Sequence, residues 1–305
     1  MSETMNELPI DDQQTNAQSY WGPQRHKYIG MQADKRLTDK ARKAVAAILE
    51  TTGLGQSTLG EIATWADEIK GGGPKDPDTL QFLNDFPKND NWHYVNLPLD
   101  VTSYDQYPEF TRDNDVVQMI AKSIRVLQGD LDMMSEVNAL RWLVHLVGDV
   151  HQPVHVGCSY IDFKAKNAEL ITDPEVIISK GLTGNPDRGG GLLLLPLGSG
   201  VKLHSYWDSN IPSLPPSEAD LANIQFNIPT GAPETWAEEW AYDSVKKSRI
   251  AYQSLRIEGE KNSKNEYKVS WMGKEAYDKL CAPIVTEQLA LGSERLALLV
   301  NQIFQ

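Results

Sequence analysis

Histidine and aspartate recur at helical spacing in two stretches of this chain. The stretches read His145-x-x-x-Asp149-x-x-x-x-x-His155 and His204-x-x-x-Asp208. Residues four apart lie on one face of a helix, so each pair can present an imidazole and a carboxylate to one point. One isolated pair would also fit a core helix with a single hydrogen-bonded histidine. Two pairs of equal spacing, with His155 close to the first, instead indicate a zinc-type site that holds several ions.

Five short motifs that contain metal-binding residue types follow one another along the chain. They are Trp21-Gly22-Pro23-Gln24-Arg25-His26, Trp65-Ala66-Asp67-Glu68-Ile69-Lys70, Asn91-Trp92-His93-Tyr94-Val95-Asn96, the stretch from His145 to His155, and His204-Ser205-Tyr206-Trp207-Asp208. In this order the motifs resemble those of the S1/P1 nuclease family, and the resemblance extends from Trp21 to the C-terminus. Five of the six histidines then occupy zinc-ligand positions, and His151 is left without a ligand role.

The resemblance implies three zinc ions and assigns a ligand set to each. The first ion would be bound by Asp67, His93, His145 and Asp149, the second by His155, His204 and Asp208, and the third by His26, Trp21 and the bridging Asp149. Trp21 would contribute backbone donors. A free α-amine binds zinc whereas a peptide nitrogen does not, so we expect the third ion to bind weakly when residues 1–20 remain attached.

The resemblance also implies roles for residues that contact water and substrate. Asp67 would orient the attacking water, and Lys70 would neutralise transition-state charge where family members often carry arginine. Lysine keeps the charge but loses the bidentate fork of the guanidinium. Tyr94 would stack on a base and Asn96 would hydrogen-bond its edge, although Tyr94 could equally form a wall of the zinc pocket. Gly191 replaces the asparagine of the family's Gly-Gly-Asn pattern, which leaves the substrate preference open.

The apolar pattern predicts a helix-rich fold. Helices are expected at 34–50, 58–70, 115–128, 135–150, 234–256 and 283–304. The second of these opens with the capping-box residues Thr58 and Glu61. The helix at 135–150 is apolar on nearly every side, so it should be buried. Its carboxylate Asp149 then needs a partner, and a metal ion is one such partner.

No linker divides the chain, and metal ligands drawn from Trp21 to Asp208 argue for one cooperative unit. The segment 157–186 lacks periodicity and resembles an inserted loop. Residues 192–196 and 201–203 are expected to form a β-hairpin that leads into His204. We therefore expect a mainly α, single-domain phospholipase C/P1 nuclease-like fold over residues 21–305, with a small β-hairpin near the metal site.

Charge and composition limit the classes of partner. The formal net charge of −13 argues against a long basic groove that binds nucleic acid by counterion release. Bound dications can hold a phosphate instead, so an acidic chain is compatible with phosphodiester hydrolysis. No run of 18 apolar residues exists, and a transmembrane segment is not expected. We expect a monomer.

The first twenty residues do not resemble a secretory signal. They carry four acidic residues, no lysine or arginine, and no apolar core. We expect a leader or a disordered segment at residues 1–20. Family members are secreted, so the resemblance implies an extracellular or periplasmic location even though no signal peptide is visible.

The leading hypothesis is a zinc-dependent phosphodiesterase that cuts single-stranded DNA and RNA to 5′-phosphate products and removes 3′-phosphates from nucleotides. A zinc-dependent phospholipase C is one alternative. The short gap between Trp21 and His26 opposes it, as does Asp208, where the lipases carry glutamate. A non-catalytic, zinc-stabilised binding protein is another alternative, which Lys70, Gly191 and the unusual residues 1–20 make plausible.

Overall fold

Helices dominate the fold, as predicted. The computed structural model describes residues 22–305 except 72, 74, 75, 199, 213 and 214. The expected leader and Trp21 therefore lie outside the described residues. The first helices are α1 (Pro23–Asp34), α2 (Asp39–Glu50), α3 (Leu59–Ile62), α4 (Trp65–Glu68), α5 (Pro77–Asp85), α6 (Val116–Leu127), α7 (Glu136–Val150) and α8 (Pro153–Val156). They are followed by α9 (Pro174–Ser179), α10 (Leu203–Ser209), α11 (Glu218–Asn223), α12 (Trp236–Tyr252) and α13 (Lys274–Ile303).

Short strands form two small sheets within the described part of the chain. They are β1 (Leu97–Pro98), β2 (Gly157–Cys158), β3 (Leu193–Leu194), β4 (Arg256–Glu258) and β5 (Tyr267–Ser270). Strands β1 and β2 pair in parallel, and β5 lies between the parallel β3 and the antiparallel β4. Since β1 follows His93 and β2 follows His155, the first pairing brings these two histidines side by side.

Helix α7 forms the centre of the fold. Every residue from Val137 to Val150 is buried, as expected for a helix that is apolar all round. Ser135 caps its N-terminus by accepting a hydrogen bond from the Asn138 amide. Helices α1, α6, α12 and α13 pack around α7. The predicted helices at 115–128 and 135–150 are thus confirmed, and the second carries Asp149 into the interior.

The helix predicted at 34–50 is wrong at its start. Asp34 instead ends α1, and its carboxylate accepts two backbone amides at the start of α3, at 2.9 and 3.0 Å. Thr38 then opens α2 as its N-cap. Helix α1 was not predicted, because Arg25 and His26 occupy buried positions there and no apolar stripe marks the helix.

The helix predicted at 58–70 begins as expected but does not run through. Thr58 and Glu61 form the predicted capping box. The helix then breaks after Ile62, resumes as α4, and ends in a 3-10 turn. At the break, the Ala63 carbonyl accepts a hydrogen bond from His145 Nδ1 at 2.8 Å. The helix is therefore interrupted where the Ala63 carbonyl bonds to His145, one of the predicted metal ligands.

The last helix begins nine residues earlier than the predicted start at Pro283. Proline is favoured in the first turn of a helix, which explains the expectation. Pro283 lies inside α13 because Tyr277, Cys281 and Val285 are buried on one face, and this packing outweighs the lost hydrogen bond. Helix α12 lies within the predicted 234–256. No described helix, α13 included, is both long and apolar enough to cross a bilayer.

The segment 157–186 and the hairpin after it differ from the expectation. The segment contains α9, and Tyr160 forms antiparallel bridges with Ile171 and Pro186, so the chain folds back on itself. The hairpin is reduced to a bridge between Leu194 and Lys202. Its first strand pairs mainly with β5, where Leu193 lies opposite Tyr267, 74 residues later in the chain, a pairing that no local pattern indicates. The small β-element near the metal motif is nonetheless present.

Candidate metal centre

One buried carboxylate, Asp149, lies at the centre of the predicted ligands and is only 1% exposed. Its oxygens lie 2.8 Å from His93 Nδ1, 3.2 Å from His155 Nδ1, 3.3 Å from His145 Nε2 and 3.4 Å from His26 Nε2. Burial acts to raise the pKa of Asp149, but the neighbouring His145 and His155 hold it well below its usual range. A carboxylate in this position is suited to bridge two cations.

The predicted ligands converge in three groups whose donor atoms lie within 4.8 Å of one another. The groups are His26, His145 and Asp149; Asp67, His93 and His145; and His155, His204 and Asp208. The third group matches the ligand set expected for the second ion. The other two groups share His145. Asp149 belongs to the group with His26 and lies beside the other group, 2.8 Å from His93 Nδ1. All eight predicted side-chain ligands are therefore brought together, while Trp21 lies outside the described residues.

Backbone carbonyls orient three of the imidazoles. The Nδ1 atoms of His145, His155 and His204 lie 2.8, 3.1 and 3.1 Å from the carbonyl oxygens of Ala63, His93 and Gly189. A carbonyl only accepts, so in the neutral form of each ring Nδ1 carries the proton and Nε2 presents a lone pair. This arrangement is typical of histidines that ligate metals, because the backbone fixes both tautomer and ring direction.

Several buried ring nitrogens have no hydrogen-bond partner among the described residues. They are His26 Nδ1, His93 Nε2 and His145 Nε2. A buried polar atom without a partner costs about 1–3 kcal/mol. This penalty applies to His26 Nδ1 and His93 Nε2, since His145 Nε2 lies 3.3 Å from the Asp149 carboxylate. Nitrogen and oxygen donors without a thiolate form a zinc-type ligand set. The residues present therefore fit a metal centre.

The electrostatics of the imidazoles also fit cation binding. Burial lowers the pKa of His93 to about 4 and lowers the pKa values of His26 and His204, so these rings are neutral at pH 7. Burial acts in the same direction on His155, but the carboxylates of Asp149 and Asp208 outweigh it and raise its pKa to about 10. The carboxylates thus give this region a strong preference for positive charge.

Helix α10, which carries His204 and Asp208, is held in place by residues outside the predicted set. Gln152 Nε2 donates to Asp208 Oδ1 at 2.9 Å. Arg25 on α1 donates to the backbone carbonyls of Trp207 and Ile211 at 3.0 and 2.9 Å. Because α1 also carries His26, Arg25 fixes two of the three groups relative to each other. The buried helical arginine gave no local signal of this role.

Two glycines permit the ligands to approach, and the motif analysis did not identify them. A Cβ on Gly148 would lie 2.3 Å from His26 Nδ1, so α7 requires glycine where His26 packs. Gly189 has a φ of 58°, and a Cβ there would lie 2.0 Å from the Val154 carbonyl oxygen. A glycine inside an apolar helix is a sequence signal of close approach, and it could have identified Gly148.

Asp67 and Lys70 lie at the rim of the centre. The Asp67 side chain is 39% exposed, and its Oδ1 lies 3.7 Å from His145 Nε2 and 3.9 Å from His93 Nδ1. Lys70 Nζ donates to the same oxygen at 2.8 Å. Burial acts to raise the pKa of Asp67, but the charges of His145 and Lys70 hold it below its usual range. Asp67 is therefore a carboxylate that water can reach.

Tyr94 and Asn96 line a cavity of about 420 Å³ beside His204. The Tyr94 hydroxyl donates to Asn91 Oδ1 at 2.8 Å, which fixes the ring.

His151, in contrast, lies outside the three groups. It is buried and contacts the Val147 carbonyl and Arg295 at 2.7 and 3.1 Å.

Comparisons with known proteins agree on one family. The family model described as S1/P1 Nuclease matches residues 21–305. The chain is 26% identical to Endonuclease 2 of Arabidopsis thaliana over 310 residues, which cover 93% of this chain and 90% of that protein. It is 24% identical to Endonuclease 1 of Arabidopsis thaliana over 259 residues, 75% of this chain and 73% of that protein.

Proposed function

The chain belongs to the S1/P1 nuclease family and is a hydrolase of phosphodiester bonds, and we propose that it is a zinc enzyme that acts on single strands. Its substrates are DNA and RNA, cut to products with 5′-phosphates, and nucleotides from which it removes 3′-phosphates. The observation that carries this proposal is the arrangement around Asp149, where one buried carboxylate contacts four imidazoles from four separate segments.

We assign the metal ligands to three ions as the family resemblance implies, and the converging groups support this assignment for the side chains. Asp67, His93, His145 and Asp149 would hold the first ion, His155, His204 and Asp208 the second, and His26, Asp149 and Trp21 the third. When bound, zinc supplies positive charge that polarises phosphoryl oxygens and makes water a good nucleophile at neutral pH. The protein's own contribution is to fix the ligands through backbone carbonyls and through the packing of α1, α7 and α10.

Asp67 is assigned the role of orienting the attacking water. It is the exposed carboxylate of its group, and its low pKa keeps it an acceptor at neutral pH. A carboxylate that accepts a hydrogen bond from water can aim the oxygen lone pair at phosphorus. Lys70, beside it at the rim, is assigned the neutralisation of charge that develops on the phosphoryl oxygens.

The cavity at Tyr94 and Asn96 supports a preference for single strands. An unpaired base can leave its neighbours and enter such a cavity, whereas a base in a duplex must first be unstacked and unpaired. Tyr94 offers an aromatic face and Asn96 an amide for this base. Because the net charge is −13, the footprint on nucleic acid should be short and centred on the metal site.

We further propose that residues 21–305 form one zinc domain that acts as a monomer outside the cytoplasm, in an extracellular or periplasmic compartment. Ligands from α1 to α10 meet in one centre, which supports a single cooperative unit.

The experiment measures hydrolysis of a labelled single-stranded oligonucleotide and of its duplex, before and after removal of metal with a chelator and after return of zinc. We expect the single strand to be cut with zinc present, to resist cutting with zinc removed, and to yield 5′-phosphate ends. Asp67→Asn should lower kcat by ~10²–10⁴-fold. The exposed Asp85 lies outside the three groups, and Asp85→Asn is the matched control.

Two results would contradict the proposal. Hydrolysis that persists after chelation would remove the role of zinc. A chain that binds zinc but leaves every strand intact would be a zinc-stabilised binding protein.

A further inference from the structure

The cavity beside His204 carries a positive charge that the proposed function does not use. Arg112 and Arg188 line it together with Tyr94 and Asn96, and its described lining contains no aspartate or glutamate. Three other cavities of the described structure are each lined by carboxylates. In a chain with a net charge of −13, two arginines without an acidic neighbour mark this cavity as a place for an anion.

Neither guanidinium is neutralised within the described part of the chain. Arg36, Arg141 and Arg295 pair with carboxylates, whereas no carboxylate oxygen among the described residues lies within 4.0 Å of the guanidinium nitrogens of Arg112 or Arg188. Both are exposed. The Arg112 guanidinium lies 5.0 Å from the centre of the Tyr94 ring, which holds it at the cavity. The two charges remain available to a ligand.

Both arginines stand on loops that buried aspartates fix. The backbone amide of Arg112 donates to Asp115 Oδ2 at 3.0 Å. Asp187 accepts the Gly190 amide at 3.0 Å and the Ser159 hydroxyl at 2.6 Å, which fixes the turn around Arg188. Because the backbone at both arginines is already fixed in the free protein, less conformational entropy is lost when a ligand binds.

Arg188 also occupies an uncommon backbone conformation. Its φ is 61°, in the left-handed region that glycine adopts without strain. The next two residues, Gly189 and Gly190, have φ values of 58° and 79° and are glycines. An arginine at the first position carries a backbone cost that glycine would avoid, and a binding role for its side chain accounts for that cost.

Taking the proposed function as its basis, we propose that Arg112 and Arg188 bind the backbone phosphate next to the scissile one. His204 belongs both to the second metal group and to the cavity lining, so the two places are contiguous. A nucleotide that spans them would present one phosphate to the metal centre and the adjacent phosphate to the arginines. Guanidinium groups bind phosphate oxygens by charge-assisted, bidentate hydrogen bonds.

The test compares substrates that differ in one phosphate charge. They are the thymidine dinucleotide TpT, the trinucleotide TpTpT, and the two trinucleotides in which one linkage is a neutral methylphosphonate. We expect kcat/KM for TpTpT to exceed that for TpT by roughly tenfold, since two exposed ion pairs each contribute a few-fold. Each methylphosphonate trinucleotide keeps all three bases but only one charged linkage to be cut, so both should lose this gain. The linkage of TpTpT that is cut first then shows on which side the second phosphate lies.

Two substitutions connect the gain to the arginines. Arg188→Gly removes the charge and suits the backbone, so it should lower the ratio of TpTpT to TpT by about three- to fivefold while thermal stability is unchanged or higher. Arg112→Gln should lower the ratio similarly, and Arg112→Lys should restore part of it. Arg125→Gln, which removes an exposed charge from the far end of α6, is the control and should leave the ratio unchanged. The ratio cancels any general loss of activity.

The outcomes separate this inference from the proposed function. If either methylphosphonate trinucleotide keeps the full gain, the cavity recognises a base and the inference is wrong. The inference is equally overturned if the gain survives in the Arg112→Gln, Arg188→Gly double variant, or if wild type cuts TpT and TpTpT equally fast. If wild type cuts none of the strands, the proposed function itself fails and this inference falls with it.

Discussion

Gly148→Ala tests whether His26 is a metal ligand without touching any ligand. The added Cβ would lie 2.3 Å from His26 Nδ1, whereas ordinary contact begins at 3.4 Å. The imidazole must therefore retreat by about 1 Å, far more than the ~0.2 Å within which metal–ligand distances are held. The third ion should lose its histidine ligand.

The magnitude has two opposing parts. Replacing glycine by alanine inside a helix stabilises the helix by about 1 kcal/mol. This gain partly offsets the crowding at His26, so the variant should still fold. Loss of a ligand should weaken binding of the third ion by more than ~10–100-fold, which is the usual effect of replacing a residue that only hydrogen-bonds to a metal ligand. A displacement of about 1 Å at a catalytic centre can cost roughly 100-fold in rate.

The assay is zinc titration by calorimetry, together with kcat on single-stranded DNA. We expect Gly148→Ala to lose the third, weaker zinc ion while the other two still bind, and its kcat to fall by roughly 100-fold. Gly184→Ala is the matched control, because a Cβ at Gly184 meets nothing within 4 Å. If Gly148→Ala binds zinc with the wild-type stoichiometry and affinity, His26 is not a ligand and the reasoning is refuted.

Three further predictions follow from the same centre and its surroundings. Asp149→Asn should lose at least one zinc ion, lose hydrolysis and unfold at lower temperature; full zinc content by elemental analysis would contradict the bridging role. A chain trimmed to begin at Trp21 should bind the third zinc ion more tightly than the 305-residue chain, because a free α-amine adds a donor, and equal affinities by titration would remove that role. Burial raises the pKa of Asp187 to about 6, so folding favours its protonated form and its contribution to stability declines between about pH 4 and pH 6. Asp187→Asn should reduce this decline in the free energy of unfolding by ~3 kcal/mol, as measured by urea unfolding of both proteins at pH 4 and pH 7. An equal decline in the two proteins would contradict it.

Much of the centre could be predicted because its residues lie at local, regular spacings. The i,i+4 pairs of α7 and α10 place imidazole and carboxylate on one helix face, and the structure holds His145 Nε2 3.3 Å from Asp149. The predicted burial of α7 followed from its apolar pattern alone. Such features require no knowledge of distant contacts.

The remaining features depend on contacts between distant segments. The break in the helix at Ala63 coincides with a hydrogen bond from His145, 82 residues later. Helix α13 runs through Pro283 because of packing on its buried face, which the proline signal conceals. Arg112 and Arg188 belong to separate loops, and no motif relates them before the fold brings both to one cavity.

The position of bound zinc tests the central claim most directly. Crystals of the zinc-loaded chain, measured on both sides of the zinc absorption edge, locate each ion by its anomalous scattering. We predict three peaks, one at each converging group, with Asp149 between two of them. A zinc-loaded crystal without a peak between His155, His204 and Asp208, or with no peak beside Asp149, would contradict it.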